Sequence, residues 1–250
     1  MTGRRRARLW GAPLLASAAL FAAGCGTTAK TSSRAPGCRP GILHPLGSPA
    51  RAYAAVVRTR ARAYRTPGVG PIGRFGHDTA YGVPTVFSVR AAVLGRSCEV
   101  AWYRVQLPLK PNGRVGYVRA RDVRVGVVDT RISVDLSRKL LIFYRDGRAR
   151  LRLRVGIGAP ATPTPTGSFY VNLRFREDPT GPYGPAALGI SAYSPVLSSW
   201  PQGGPVAIHG TNRPWTIGRA ASNGCIHVPN AVVERLFRAT PAGTPVVIHA

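Results

Sequence analysis

Two short blocks hold the residues best suited to breaking and making bonds. His209-Gly210 comes first, and Ser222-Asn223-Gly224-Cys225-Ile226-His227 follows, with Cys225 sixteen positions after His209. A cysteine attacks as its thiolate, so it needs a nearby base or cation to populate that form. His209 is the obvious partner, because Pro214, Gly218 and Gly224 provide enough turns between the blocks to fold Cys225 back onto it. Gly224, directly before the cysteine, permits close approach of a substrate carbonyl and could aim backbone N–H groups at an oxyanion.

A base histidine is usually oriented by a third group. No Asp or Glu occurs between Pro179 and Val233, so a nearby carboxylate is absent and Asp135 is only a distant candidate. A backbone carbonyl, with Gly210 the nearest, can fix the tautomer in its place. A metal site built from His209, Cys225 and His227 is a competing reading, but it lacks a second cysteine and any recognised ligand spacing. A cysteine with a merely structural role is the plainest alternative. No metal and no cofactor is expected.

These blocks resemble the L,D-transpeptidase (YkuD-type) family. Its motif is His-Gly, about fifteen residues, then Ser/Thr-x-Gly-Cys, an apolar residue and usually Arg. Pro163-Thr164-Pro165-Thr166-Gly167-Ser168-Phe169 and Tyr183-Gly184-Pro185 add to the likeness, which covers residues 129–250. Asn223 stands where the family more often has His, and His227 where it usually has Arg. The resemblance implies a β-sandwich catalytic domain acting on peptidoglycan stem peptides. Cys225 would attack the carbonyl joining an L-centre to a terminal D-alanine, with His209 shuttling the proton and Gly224 in the oxyanion hole. The thioester would then pass to an acceptor amine, giving a cross-link, or to water, giving L,D-carboxypeptidase activity. Ser222, Asn223, His227 and Tyr193 would touch the substrate. Cysteine peptidases that accompany SH3-like domains place Cys before His, the reverse of the order here.

The elements that must hold these residues are mostly strands. Residues 131–135 and 139–144 read as strands, with Asp146-Gly147 as the hairpin turn after them. Residues 149–155 alternate apolar residues with arginine, the pattern of a half-exposed strand. Further strands are expected at 167–173, 206–209 and 244–249, and a helix at 230–238 from the spacing of Val232, Val233, Leu236 and Phe237. The stretch 174–200, rich in Gly, Pro and aromatics, reads either as a lid over the substrate or as a surface excursion.

Upstream, residues 51–128 read as short strands separated by turns, with 51–64 alternatively one basic amphipathic helix. Trp102-Tyr103-Arg104-Val105, Pro111-Asn112-Gly113 and Gly116-Tyr117-Val118 together resemble bacterial SH3-like domains. That implies a small β-barrel placed beside a wall enzyme. Residues 26–50, rich in Ser, Thr, Arg, Pro and Gly, suit a linker. The fold class expected is therefore mainly β: an SH3-like barrel, then a β-sandwich with one or two short helices.

Arg4, Arg5, Arg6 and Arg8 precede an apolar run from Leu9 to Gly24, too short for a comfortable membrane span. The run ends in Ala22-Ala23-Gly24-Cys25, which resembles a lipoprotein signal covering residues 1–25. The expectation is an exported chain held at the outer face of the membrane through a lipid on Cys25. Of the other three cysteines, the most economical allocation pairs Cys38 with Cys98 and leaves Cys225 free, although both could simply be buried.

The 250 residues carry 35 Lys+Arg against 9 Asp+Glu, a net charge of +26, and 44% of them are hydrophobic. That apolar share excludes wholesale disorder. Taking away the four arginines before Cys25 leaves +22. No stacking aromatics interleave with the arginines, so nucleic acid is not the expected partner. Anionic wall polymers are the better candidate, although arginine-rich codon usage would give the same composition. A non-catalytic, cationic wall-binding lipoprotein with the same fold is the opposing class of function.

Overall fold

The structure, a computed structural model, describes residues 38–197, 199 and 204–250. The signal segment 1–25 with Cys25, and residues 26–37 of the expected linker, lie outside them.

The N-terminal strands are β1 (Leu43–Pro45), β2 (Ala52–Val57), β3 (Arg60–Thr66), β4 (Val69–Gly76), β5 (Val86–Leu94), β6 (Val100–Gln106), β7 (Val115–Arg119) and β8 (Val123–Val128). They form one sheet in the order β4-β3-β7-β6-β5-β2-β8, with β1 added along β5. Phe87, Val105, Leu107 and Val118 are fully buried at its centre.

Of the two readings of residues 51–64 the strands hold, since Tyr53–Val56 pair with β5 and Ala52–Val57 with β8. The alternation of buried Ala61 and Ala63 with exposed arginines along β3 has the two-residue period of a sheet face. The expected linker ends earlier than residue 50. A Cys38–Cys98 disulfide with Cα atoms 5.8 Å apart, together with β1, fastens residues 38–45 to the sheet.

The second half contains β9 (Thr130–Asp135), β10 (Leu140–Arg145), β11 (Arg148–Arg154), β12 (Ile157–Gly158), β13 (Gly167–Arg176), β14 (Ala186–Tyr193), β15 (Pro205–His209), β16 (Ala220–Ser222), β17 (Ile226–His227), α1 (Asn230–Ala239) and β18 (Pro245–His249). Eight of the strands run in the order β11-β10-β9-β18-β13-β14-β15-β17. Asp146 and Gly147 both take positive φ, 51° and 74°, as a tight two-residue hairpin between β10 and β11 demands.

Strand β13 serves both parts of this sheet. Its first four residues pair with β18, and Val171–Arg176 pair with β14. A strand that changes partners along its length turns a corner, so the two flanks face each other over a shared core. Ile132 and Leu141 from one flank and Leu188, Ile208 and Ile226 from the other belong to one buried cluster, closed by Val233 and Leu236 of α1. The fold is mainly β, as expected, with one α-helix among the described residues. Part of the stretch 174–200 is strand and neither lid nor excursion: it supplies the end of β13 and all of β14, whose residues Ala186–Ala192 are buried.

A polar seam joins the two sheets within the compact unit Pro36–Ala250. The buried Tyr170 hydroxyl donates to Val86 O at 3.1 Å, and Gln106 Nε2 donates to Ser168 O at 2.8 Å. Asn112 exchanges two hydrogen bonds with the Tyr193 backbone, at 2.8 and 2.9 Å. Gly243, at φ +93°, would drive a Cβ into that of Ala54, so only glycine fits there.

Candidate active site

Strands β15 and β17 run parallel, with Ile208 opposite Ile226 and His209 opposite His227. The two apolar residues point into the core, which turns the two histidines to the other side. Their rings lie 4.8 Å apart, centroid to centroid. Cys225, one residue before β17, opens with them onto a cleft of about 660 Å³. Asn223, Ser222, Tyr183, Thr216, Arg213 and Glu177 also line it.

His209 is 3% exposed, and its Nδ1 donates to Gly210 O at 2.5 Å. That bond puts the proton on Nδ1 and leaves Nε2 with a lone pair. Burial, then the neighbouring His227, pushes the His209 pKa down to about 4, with the Gly210 carbonyl opposing. The imidazole is therefore neutral near pH 7 and able to accept a proton. The Tyr183 ring stands edge-on to it at 4.8 Å.

His227 is fixed in the same tautomer by a different device. The Thr216 hydroxyl donates its only proton to Arg213 O at 2.7 Å, so at 2.9 Å from His227 Nδ1 it can only accept. The proton of His227 therefore sits on Nδ1 as well, and its Nε2 is bare. Burial, and then Arg213, lower the His227 pKa. The cleft thus holds two neutral imidazoles, each with a free lone pair.

Cys225 is the one free cysteine among the described residues. Burial pushes its thiol pKa up, and a backbone hydrogen bond from Ala207 works against that. The thiolate is therefore not formed in advance, and attack requires a base beside it.

The loop carrying the thiol is stapled from both sides. Ser222 Oγ donates to Cys225 O at 2.6 Å and accepts from Gly224 N at 3.2 Å. Ser222 O in turn accepts from Ala159 N and Thr162 Oγ1, at 2.8 and 2.9 Å. Asn230, at the start of α1, accepts from Thr211 N at 2.7 Å. Its Oδ1 occupies the space that a Cβ on Gly184 or Gly210 would need, so the carbonyl that orients His209 is held by small residues packed on Asn230.

Of the residues singled out in the sequence, His209, Gly210, Ser222, Asn223, Cys225 and His227 gather at this cleft. Three expectations change. Gly224 has its N–H engaged by Ser222 and does not line the cleft, so its contribution is its φ of +106°. The neighbouring Cys225 N–H has no acceptor among the described residues. Ser222 has its hydroxyl engaged within the loop and is 6% exposed. Tyr193 lies on the seam, its hydroxyl donating to Pro108 O at 2.8 Å, which leaves it no part in the cleft.

Thr216, Arg213 and Asn230 carried no motif, and nothing in their spacing could have singled them out. Among the described residues Arg213 is the one cation lining the cleft, and it supplies positive charge where position 227 has none.

The YkuD family model, an L,D-transpeptidase catalytic domain, matches residues 129–248. The Bacillus subtilis (strain 168) protein YkuD, named an L,D-transpeptidase, is 38% identical over 118 residues. That match takes in 47% of this chain and 65% of the relative. Its Bacillus licheniformis counterpart is 37% identical over 118 residues, 47% of this chain and 64% of the relative. The chain therefore spans slightly less than two thirds of these relatives' lengths. Among solved structures, the catalytic domain of the E. faecium L,D-transpeptidase is 30% identical. The alignment covers 48% of this chain and 97% of that one, with a TM-score of 0.36. An L,D-transpeptidase catalytic domain in the second half of the chain is supported by the family model and these relatives together.

Proposed function

We propose that the chain is a peptidoglycan L,D-transpeptidase that works by cysteine acyl transfer. The observation that carries this reading is a buried, neutral His209, oriented by the Gly210 carbonyl, in one cleft with the free Cys225. His209 Nε2 takes the thiol proton as sulfur attacks the carbonyl before the terminal D-alanine of a stem tetrapeptide. Carbonyl π electrons move to oxygen, and the Cys225 N–H donates to that oxyanion. Collapse expels the D-alanine nitrogen, which leaves as the amine with the proton His209 returns. An acceptor amine then attacks the thioester, forms the amide and releases the thiol, its surplus proton passing through His209. Water in place of the amine makes the same site a carboxypeptidase.

The expected setting for this chemistry is the outer face of the membrane. There residues 1–25 act as an export signal with lipid on Cys25, residues 51–128 as an SH3-like companion to a catalytic domain at 129–250, and anionic wall polymers meet the basic surface. The test is intact-protein mass spectrometry after incubation with stem tetrapeptide. A thioester adduct on Cys225 is expected, lost in Cys225→Ala and strongly slowed in His209→Gln. Turnover by Cys225→Ala would end the proposal. Adding an acceptor amine and comparing cross-linked with hydrolysed product determines which acceptor the site uses.

A further inference from the structure

Eight large apolar side chains are exposed among the described residues, and four of them line the cleft or lie next in sequence to residues that do. Tyr81 and Tyr183 line it, and Val196 adjoins the lining residue Leu197. Trp215 sits in the turn Pro214–Thr216, between the lining residues Arg213 and Thr216. A chain rarely leaves such groups together at a surface without a partner for them.

Trp215 stands apart from the other three. It is 61% exposed, the most of any aromatic described. Tyr183 leans on His209 and Tyr81 on Phe175, whereas the indole has no ring or cation partner and no acceptor for its N–H among the described residues. Its backbone is nevertheless firmly placed: Thr216 N and Oγ1 both donate to Arg213 O, and the same Oγ1 meets His227. An exposed flat apolar face thus stands on a turn with a fixed backbone, between two residues that line the cleft, and the guanidinium of one of them, Arg213, pairs with no carboxylate of the described residues.

The substrate class of the proposed activity, on which this inference rests, sets what must lie over that rim. A stem peptide is joined through its N-terminus to a sugar of the glycan strand. Three residues separate that sugar from the bond Cys225 attacks, a span on the order of 10 to 15 Å when extended. With the stem in the cleft, that short span keeps the saccharide near its mouth. We infer that Trp215 is a saccharide subsite: the indole face stacks on the apolar face of a pyranose ring, so that the enzyme favours stems still attached to glycan.

The experiment compares disaccharide-tetrapeptide with free tetrapeptide, titrated against the full chain in a Cys225→Ala background so that no bond breaks. Tryptophan fluorescence and calorimetry serve as the two readouts. The expected result is roughly tenfold tighter binding of the sugar-bearing ligand, in line with the worth of an aromatic contact. That preference should vanish in Trp215→Ala, survive in part in Trp215→Phe, and leave free-tetrapeptide affinity untouched. Equal weakening of both ligands by Trp215→Ala would mean a peptide contact or a disturbed turn, and no weakening of either would mean a bystander. Either result overturns the inference. Failure of the transpeptidase reading would appear separately, as no Cys225 adduct with either donor in the unsubstituted protein, while the binding comparison still decides the role of Trp215.

Discussion

The two sheets each carry a concavity, and the two are alike in size and unlike in everything else. The one on the N-terminal sheet has about 520 Å³ and is walled by Arg60, Arg62 and Arg74 with Phe75 and Asp122. Arg62 and Arg74 face each other across β3 and β4, like charges that only open solvent makes tolerable. The cleft at β15 and β17, about 660 Å³, has a single arginine and a single glutamate in its lining, although the chain carries 35 basic residues. His209, Thr216 and Ser222 in it are instead buried and hydrogen-bonded, and the two imidazoles are held in one tautomer. Volume and charge do not make a chemical site. Groups kept from water, with their protons placed by neighbours, do.

The largest test of this contrast is substitution on both sides. Cys225→Ala should lower acyl transfer by about 10⁴-fold or more and remove any adduct with a carbapenem-type lactam, whose strained amide meets the same thiol and the same oxyanion donor. Replacing Arg60, Arg62 and Arg74 together with Gln should leave the acylation rate within about twofold. A comparable loss from the arginine triple would erase the distinction between the two concavities.

A second test removes the staple of one sheet only. The Cys38–Cys98 bridge closes a loop with a sequence separation of 60, worth about 4 kcal/mol by the chain-entropy estimate. Cys38→Ser/Cys98→Ser should lower the urea midpoint accordingly, while the alkylation rate of Cys225 in native buffer stays the same. Without reductant, a protein beginning after Cys25 should show a single reactive thiol, and labelling of three would refute the bridge.

Acid sharpens the contrast further. His209 has a folded pKa of about 4 against an ordinary value near 6.5, so between these values the unfolded chain binds a proton that the folded chain refuses. Stability therefore rises with pH across that window, is complete above it, and falls by about 3 kcal/mol on acidification through it. His209→Gln should flatten this part of the stability curve. An unchanged slope would mean that the imidazole is not held neutral by its surroundings.

The smallest effect concerns the seam. Tyr170→Phe leaves Val86 O without its buried donor, and about 1 to 2 kcal/mol of stability should be lost without a change in Cys225 reactivity. Thermal unfolding measures the first quantity and thiol alkylation the second.

Legibility in the sequence divides along the same line. Local pattern was enough for β9 to β11, because alternation and the Asp146-Gly147 turn are short-range signals. It was also enough for α1, whose apolar spacing the structure keeps. Cys225, His209 and the Gly210 carbonyl were legible because their chemistry demands particular residue types in a particular order. Asn230, Thr216 and Arg213 were not. Each acts through a neighbour brought near by folding, with no type or spacing of its own to mark it. Gly224 shows the opposite failing: its N–H looked available in sequence, yet it is taken by Ser222 two residues away. Tyr193 was expected at the substrate with the resemblance, and the seam claims it instead.

Fastening residue 38 to the sheet also alters how far the cleft can travel. For a protein held at Cys25, reach is set by the thirteen residues that lead to Cys38, since β1 and the disulfide tie the next stretch of chain to the sheet. Fully drawn out, those thirteen span no more than about 45 Å, roughly half of what a tether continuing to residue 50 would allow. Under the proposed anchoring and activity the working radius is then short, and the bonds within reach are those close to the membrane.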